Sequence, residues 1–237
     1  MGPVNPAYRW AAQAAERNLT MKKKLETLTP GTLFPYAGRD FIVLDEKDGG
    51  ILVLEHQSQE SMPFTSADRD VANMNDFRTS SIREYLNGDY YADLLENGAD
   101  ESNILDLTID LKATDGTRAY GYDTCKVGLL TLEQYGKYKE IIPLNEDDWW
   151  WLATPWTTRW LRSPNTSSAT YACYVRTSGA SNYNYCSFSY GIRPALVLSS
   201  SLLVSVEPDE NETAELDAYS TKALANELAR RLNVDDA

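Results

Sequence analysis

The sequence predicts an α+β chain, and three observations carry that prediction. Apolar and polar residues alternate in several short runs, the period of a half-buried strand. Capping boxes open short helices between those runs. Two longer amphipathic segments, one near each end, read as helical arms. With 237 residues at 43% hydrophobic content, the chain can bury a full core as one domain with arms, or as one large and one small unit.

In chain order, Asn5 to Leu28 is the first expected helix, with Asn5 as N-cap, Pro6 at the first helical position and Thr29-Pro30-Gly31 as the stop. Tyr8, Ala11, Ala12, Ala15, Leu19, Leu25 and Leu28 give it an apolar stripe. The runs Asp40 to Asp45 and Ile51 to His56 flank Asp48-Gly49-Gly50, a hairpin signal. Ser81-x-x-Glu84 opens a short helix through Leu86, and Asp89 caps another that ends at Gly98. Leu105, Leu107, Ile109 and Leu111 alternate with Asp106, Thr108 and Asp110 as a half-buried strand. An apolar strand, Val127 to Leu130, precedes a second capping box, Thr131-x-x-Gln134. Alternation sends Trp149 and Trp151 to one face and Trp150 to the other, and most of this tryptophan block belongs in the core. Trp156 to Arg159 reads as a turn beside it. Ser205 to Thr213 is an acidic linker before a helix over Glu215 to Leu232, where Leu216, Leu224, Leu228 and Leu232 fall in phase. The expected division is a helical arm over 1–31, a central domain over 32–204, and the linker and last helix over 205–237. Each terminal helix either docks on its own domain or supports an oligomer.

The stretch from Leu161 to Val206 differs from its surroundings. It contains no Asp, Glu or Lys, although the chain carries 35 acids and is 24% charged. Arg162, Arg176 and Arg193 are its only charges, and Tyr171, Tyr174, Tyr183, Tyr185 and Tyr190 are interleaved with Ser, Asn, Thr and Gly. Tyrosine offers rigid amphipathic contact area at low entropy cost, while the small polar residues adapt their hydrogen bonds, so the composition suits a binding surface. A plain aromatic hairpin whose rings pack across strands is the competing reading. A tight turn at Gly179-Ala180 sets Tyr171 opposite Phe188, Cys173 opposite Cys186 and Val175 opposite Asn184 on an apolar face. The other face then carries Tyr174 opposite Tyr185, Arg176 opposite Tyr183 and Ala172 opposite Ser187, toward solvent.

Every residue from Leu161 to Val206 also belongs to the set that a codon of form NNC encodes. The excluded types, Trp, Lys, Glu, Gln and Met, all occur elsewhere, the nearest being Trp160 and Glu207. An AAC codon randomised at its two adenines samples that set and never gives a stop.

Four blocks stand in a recognisable order: Trp149-Trp150-Trp151-Leu152-Ala153-Thr154-Pro155; Trp160-Leu161-Arg162-Ser163-Pro164; Ala172-Cys173-Tyr174-Val175 followed by Gly179; and Gly191-Ile192-Arg193-Pro194-Ala195-Leu196. In these the chain resembles the variable proteins of diversity-generating retroelements, whose C-type-lectin-like domain is diversified by adenine-directed mutagenesis. The same signature occurs in a family of bacterial and phage proteins and is distantly similar to formylglycine-generating enzymes. The resemblance covers roughly Ser80 to Leu198 and is weak over Thr32 to His56. It implies a C-type-lectin-like fold of mixed antiparallel strands and short helices, with a variable region at about 156–190. The ligand-binding positions it implies are Tyr171, Tyr174, Arg176, Ser181, Asn182, Tyr183, Asn184, Tyr185, Ser187 and Ser189. Tyr174, Tyr183 and Tyr185 would supply contact area, Arg176 a charged or stacking contact, and the Ser and Asn residues adjustable hydrogen bonds. Cys173, Val175 and Phe188 are assigned to the scaffold, Gly191 to a bulge, and Pro194 to a strand edge or bend.

Charge and motif content narrow the function classes. A net charge of −13 repels phosphate, so no nucleic-acid partner is expected. No run is long and apolar enough to span a bilayer, and the N-terminus lacks a signal peptide's apolar core. Synthesis in the cytoplasm is expected, with display on a virion or cell surface left open. His56 is the only histidine and reads as a solvent-facing strand residue. Neither C-x-x-C nor H-E-x-x-H spacing occurs, and Glu207-Pro208-Asp209 lacks the W-N-D partner of a sugar-binding calcium site, so no metal is expected. Formylglycine-generating enzymes use a closely spaced cysteine pair, whereas Cys173 and Cys186 lie far apart. In a reducing compartment those two are buried hydrophobes, and outside the cell they form an oxidisable pair. No catalytic residue or cofactor is assigned. The expected function is recognition of a protein or glycan ligand through a diversified surface. A fixed lectin-like module, a structural phage or cell-surface component, and a formylglycine-type oxidoreductase stay open as alternatives.

Overall fold

The computed structural model describes residues 21–58, 60–145, 148–158 and 168–207. The expected helices over Asn5 to Leu28 and Glu215 to Leu232 therefore lie largely or wholly outside the described residues. Where the first of them enters the description, Met21–Lys24 is strand β1 and Leu25–Thr27 a 3-10 turn, which shortens the expected helix at that end. Then follow β2 (Leu33–Tyr36), β3 (Arg39–Lys47), β4 (Gly50–Glu55) and β5 (Glu60–Pro63). Helices α1 (Ser81–Asn87) and α2 (Asp89–Glu96) lead to β6 (Ile104–Leu105), β7 (Leu107–Asp110), β8 (Tyr122–Cys125) and β9 (Val127–Gly128). Helix α3 (Leu132–Tyr138) precedes β10 (Trp150–Pro155), β11 (Tyr171–Val175), β12 (Ser181–Tyr185), β13 (Ser189–Ile192), β14 (Ala195–Leu198) and β15 (Leu203–Val206).

The expected α+β, C-type-lectin-like class is corrected by this inventory, while the helical arms expected with it lie almost wholly outside the described residues. Strand makes up 39% of the structure and helix 19%, and the α-helices described are three of seven or eight residues each. The fold is β-rich. Helices this short gain little from propensity and exist by packing on the sheets. Among the described residues no helix is long and apolar enough to cross a membrane.

Lys23–Val204 forms one compact unit. The other, 1–22 with 205–237, is described only at Met21, Lys22 and residues 205–207. Within the larger unit, one sheet runs in the order β2-β3-β4-β14-β6, with β9 also pairing β14, and a second runs β12-β11-β10-β13-β5. β4 and β14, paired side by side within this sheet, are buried at every residue. The hairpin at Asp48-Gly49 turns through positive φ at both residues, the conformation that matches the twist of its flanking strands.

Local capping chemistry sets the helices. Thr131 and Gln134 make the reciprocal capping box, Gln134 N–H to Thr131 Oγ1 at 3.1 Å and Thr131 N–H to Gln134 Oε1 at 2.9 Å. In α1 the cap is Ser80 rather than Ser81: Ser80 Oγ accepts from Arg83 N–H, while Ser81 Oγ accepts from Ser66 N–H. Asp89 is the first residue of α2 and Gly88 its N-cap. The alternating run at Leu105 divides at Asp106 into β6 and β7, the second pairing with β8.

Candidate ligand-binding surface

The five-stranded sheet presents the candidate surface, and one buried amide ties the segment after β10 to the start of β11. Asn75 is fully buried; its Nδ2 donates to the carbonyls of Thr157 and Tyr171, each at 2.9 Å. Its Oδ1 accepts from Tyr120 Oη at 2.7 Å, and its N–H donates to Ala169 O at 3.0 Å. The segment after β10 is held from the other side by Thr114 Oγ1, which donates to Trp156 O, and by Thr157 Oγ1 on Asp115 at 2.7 Å. Both ends of the segment that enters β11 are thus pinned by polar groups from remote parts of the chain.

The β11–β12 hairpin has a different register from the one expected. Tyr171 pairs with Tyr185, Cys173 with Tyr183, Tyr174 with Asn182 and Val175 with Ser181. The reason is the loop. Arg176 N–H donates to Ala180 O and Gly179 N–H to Arg176 O, so Thr177, Ser178 and Gly179 form a three-residue connection with Gly179 at φ 78°. The turn centre moves from the Gly179-Ala180 bond to Ser178, which slides β12 and changes which residues share a face. Tyr135 Oη fixes the loop tip by donating to Gly179 O at 2.6 Å.

The ten expected contact residues consequently divide between two sides of the sheet. One side carries Tyr171, Tyr183, Tyr185 and Ser181. Trp156 stacks on Tyr183 with ring centroids 3.7 Å apart and planes 20° apart. Tyr171 meets Tyr183 edge-on at 5.8 Å and Tyr185 at 4.3 Å, and Tyr185 meets Phe188 at 6.2 Å. These rings form one connected strip, and Trp156, Tyr183, Tyr185 and Phe188 remain 36%, 40%, 47% and 49% exposed. The neighbouring Tyr185 hydroxyl pushes the Tyr171 phenol up to about 12. Phe188, expected in the scaffold, is part of the exposed strip. Ser187 and Ser189 are exposed beside it.

The opposite side carries Tyr174, Arg176, Asn182 and Asn184. Tyr174 is 2% exposed: it stacks on Trp149 at 5.1 Å and 15°, and packs on Tyr190 at 4.8 Å and Trp151 at 6.2 Å. Its place opposite Asn182 turns it into this cluster, so the expected contact role is corrected to a packing one. Arg176 is exposed, with its guanidinium 5.5 Å from the centre of the Trp149 ring and Nε 3.4 Å from Tyr174 Oη. Asn184 Nδ2 donates to Tyr190 Oη. Trp151 faces this cluster and Trp150 the other side, where Tyr135 meets it edge-on at 5.5 Å, as alternation predicts.

The Gly191-Ile192-Arg193-Pro194 block is structural. Gly191 pairs with Trp150 and with Ser61 in regular register, not as a bulge. A Cβ there would stand 2.4 Å from Ser58 Oγ, and that hydroxyl already accepts Ile192 N–H at 2.9 Å. Arg193 is fully buried; it donates to the carbonyls of Glu55 and Pro143, each at 3.1 Å, and of His56, and lies 5.0 Å from the centre of the Trp150 ring. Burial lowers its pKa to about 10, which leaves it charged at pH 7.

Groups with catalytic potential lie elsewhere or are suppressed. Cys125, Cys173 and Cys186 are free and buried, and burial pushes the Cys125 and Cys173 thiols up to about 12 and Cys186 higher. Cys173 sits opposite Tyr183, so the two hairpin cysteines are not cross-strand neighbours. His56 follows β4; burial and the Arg193 charge lower its pKa, and its Nδ1 is buried without a partner among the described residues. A polar cleft of about 460 Å³ runs past His56, Arg39, Asp40, Glu60 and Asp93 and includes none of the ten residues. Sequence reasoning missed Asn75 and Phe188. The first sat in an irregular stretch without periodicity, and the second was misplaced by the register.

No curated protein and no solved structure matches the chain. A family model described as Domain of unknown function (DUF6273) matches residues 48–200, from the Asp48-Gly49 turn past the end of β14 and across the whole candidate surface. On that match, which spans more than half of its length, the chain belongs to the DUF6273 family.

Proposed function

We propose that the chain is a ligand-binding protein that meets a protein or glycan target through the exposed strip on β11, β12 and the turn after β12. We propose also that this strip is diversified by a retroelement acting on adenines. One observation carries the reading: among the described residues, four of the eight exposed large hydrophobics join in a single strip, and all of its members but Trp156 fall within the stretch restricted to NNC-encoded residues. Contiguous exposed aromatic area of this kind marks interaction sites. Trp156 lies outside that stretch and serves as a constant anchor for a changing Tyr183.

Deep sequencing of the coding locus from its native population tests the proposal. Substitutions concentrated at Tyr171, Ser181, Tyr183, Tyr185, Ser187, Phe188 and Ser189, with Cys173 and Val175 constant, are the expected outcome. A uniform hairpin, with variation scattered elsewhere, removes diversification and leaves a fixed binding surface.

A further inference from the structure

Among the described residues β12 is the outermost strand of its sheet, so one row of its backbone groups faces away from β11. The ladder identifies that row. Ala180 O accepts from Arg176 N–H, and Cys186 N–H donates to Thr170 O. By alternation Asn182 and Asn184 also bond inward, and Ser181, Tyr183 and Tyr185 point their N–H and C=O groups outward. An open row of this kind is a template for another strand.

Two of those three outward donors are already used. Tyr183 N–H donates to Asn182 Oδ1 and Tyr185 N–H to Asn184 Oδ1, both at 2.9 Å. Asn184 is itself held by the bond from its Nδ2 to Tyr190 Oη. Tyr185 O accepts Phe188 N–H at 3.0 Å. An incoming strand would have to break these local bonds before forming its own. Two other edge strands use more usual guards: Pro35 lies in β2, and β5 carries both Glu60 and Pro63. β12 has no charge and no proline, and the stretch around it contains neither Lys nor Glu.

We infer that Asn182 and Asn184 cap the free edge of β12 against pairing with the same edge of a second copy of this chain. Partners are then met by side chains rather than by strand addition. The exposed rings of Tyr183 and Tyr185 flank the edge, so an uncapped β12 would combine free donors with apolar contact area, the combination that favours self-association. The inference goes beyond the proposed function and does not depend on whether the strip is diversified.

The test compares the full chain with its Asn182→Ala/Asn184→Ala variant, measuring mass by light scattering across a concentration series. The variant is expected to reach about twice the wild-type mass or more as concentration rises. A Tyr190→Phe control, which removes the Asn184–Tyr190 bond but neither cap, is expected to keep the wild-type mass. Amide exchange supplies a second readout in the wild type itself. Tyr183 and Tyr185 should be protected about 3- to 10-fold relative to the uncapped Ser181, after correction for intrinsic rates. An Ala variant that keeps the wild-type mass at the highest concentration overturns the inference. So does equal exchange at all three amides, even where the Ala variant fails to fold.

Discussion

Asn75 shows how much of the surface rests on one side chain. It donates twice, to Thr157 O and Tyr171 O, and accepts from Tyr120, in a site without water access. Asn75→Ala removes these bonds in a buried site and leaves the segment after β10 tied to the start of β11 through the bond from Trp156 N–H to Tyr171 O. The expected loss is about 2–4 kcal/mol of stability, read from the urea midpoint. Tyr120→Phe, which removes one of the bonds, should cost about 1–2 kcal/mol. No periodicity pointed to Asn75, because its partners are up to 96 residues away and such bonds leave no local pattern. Trp150 and Trp151 were legible for the opposite reason: alternation along one strand assigns their faces whatever the strand pairs with. Tyr174 was not, since its face depends on the cross-strand partner.

At the level of elements, two local devices were read correctly, while the caps of α1 and α2 and the β11–β12 turn were not. The Thr131-Gln134 capping box and the Asp48-Gly49 hairpin are complete within a few residues, so the sequence contains every group that makes them. The β11–β12 loop is equally short, yet Gly179 served as part of a two-residue turn in the sequence reading. In the structure it is the third residue of a three-residue loop. That difference decided the register and with it the side of the sheet on which the tyrosines of each strand fall. At φ 78° Gly179 occupies backbone space that disfavours a Cβ, and a Cβ would stand 3.1 Å from Leu144 Cδ2. Gly179→Ala is therefore expected to cost about 1–2 kcal/mol, and Gly179→Asn, whose type tolerates left-handed backbone, less. Equal stability of wild type and Gly179→Ala in chemical denaturation would show that the loop does not hold this turn in solution.

Over the whole molecule, the β-rich class was hidden because its sheets are assembled from distant pairings. β14 lies between β4 and β6, and β13 runs parallel to β10 while pairing β5 on its other side. Strands of two to six residues buried on both faces carry no alternation, so they resemble any short apolar run. What the assembly achieves is a separation within a single hairpin: Cys173, Tyr174, Val175 and Cys186 are buried, while Ser181, Tyr183, Tyr185, Ser187, Phe188 and Ser189 are exposed. A scaffold for a changing surface requires that separation. Replacing the exposed six, one at a time, by each NNC-encoded residue except proline should shift unfolding stability by less than about 1 kcal/mol, the scale of surface substitutions and of one lost ring stack. Polar replacements at the buried four should cost more than about 2 kcal/mol. A library read out by protease resistance measures both sets together. Comparable sensitivity at the exposed positions would mean that the strip is held by contacts of its own and cannot vary freely, which would remove the physical basis for the proposed diversification and leave only the proposal of a fixed binding surface.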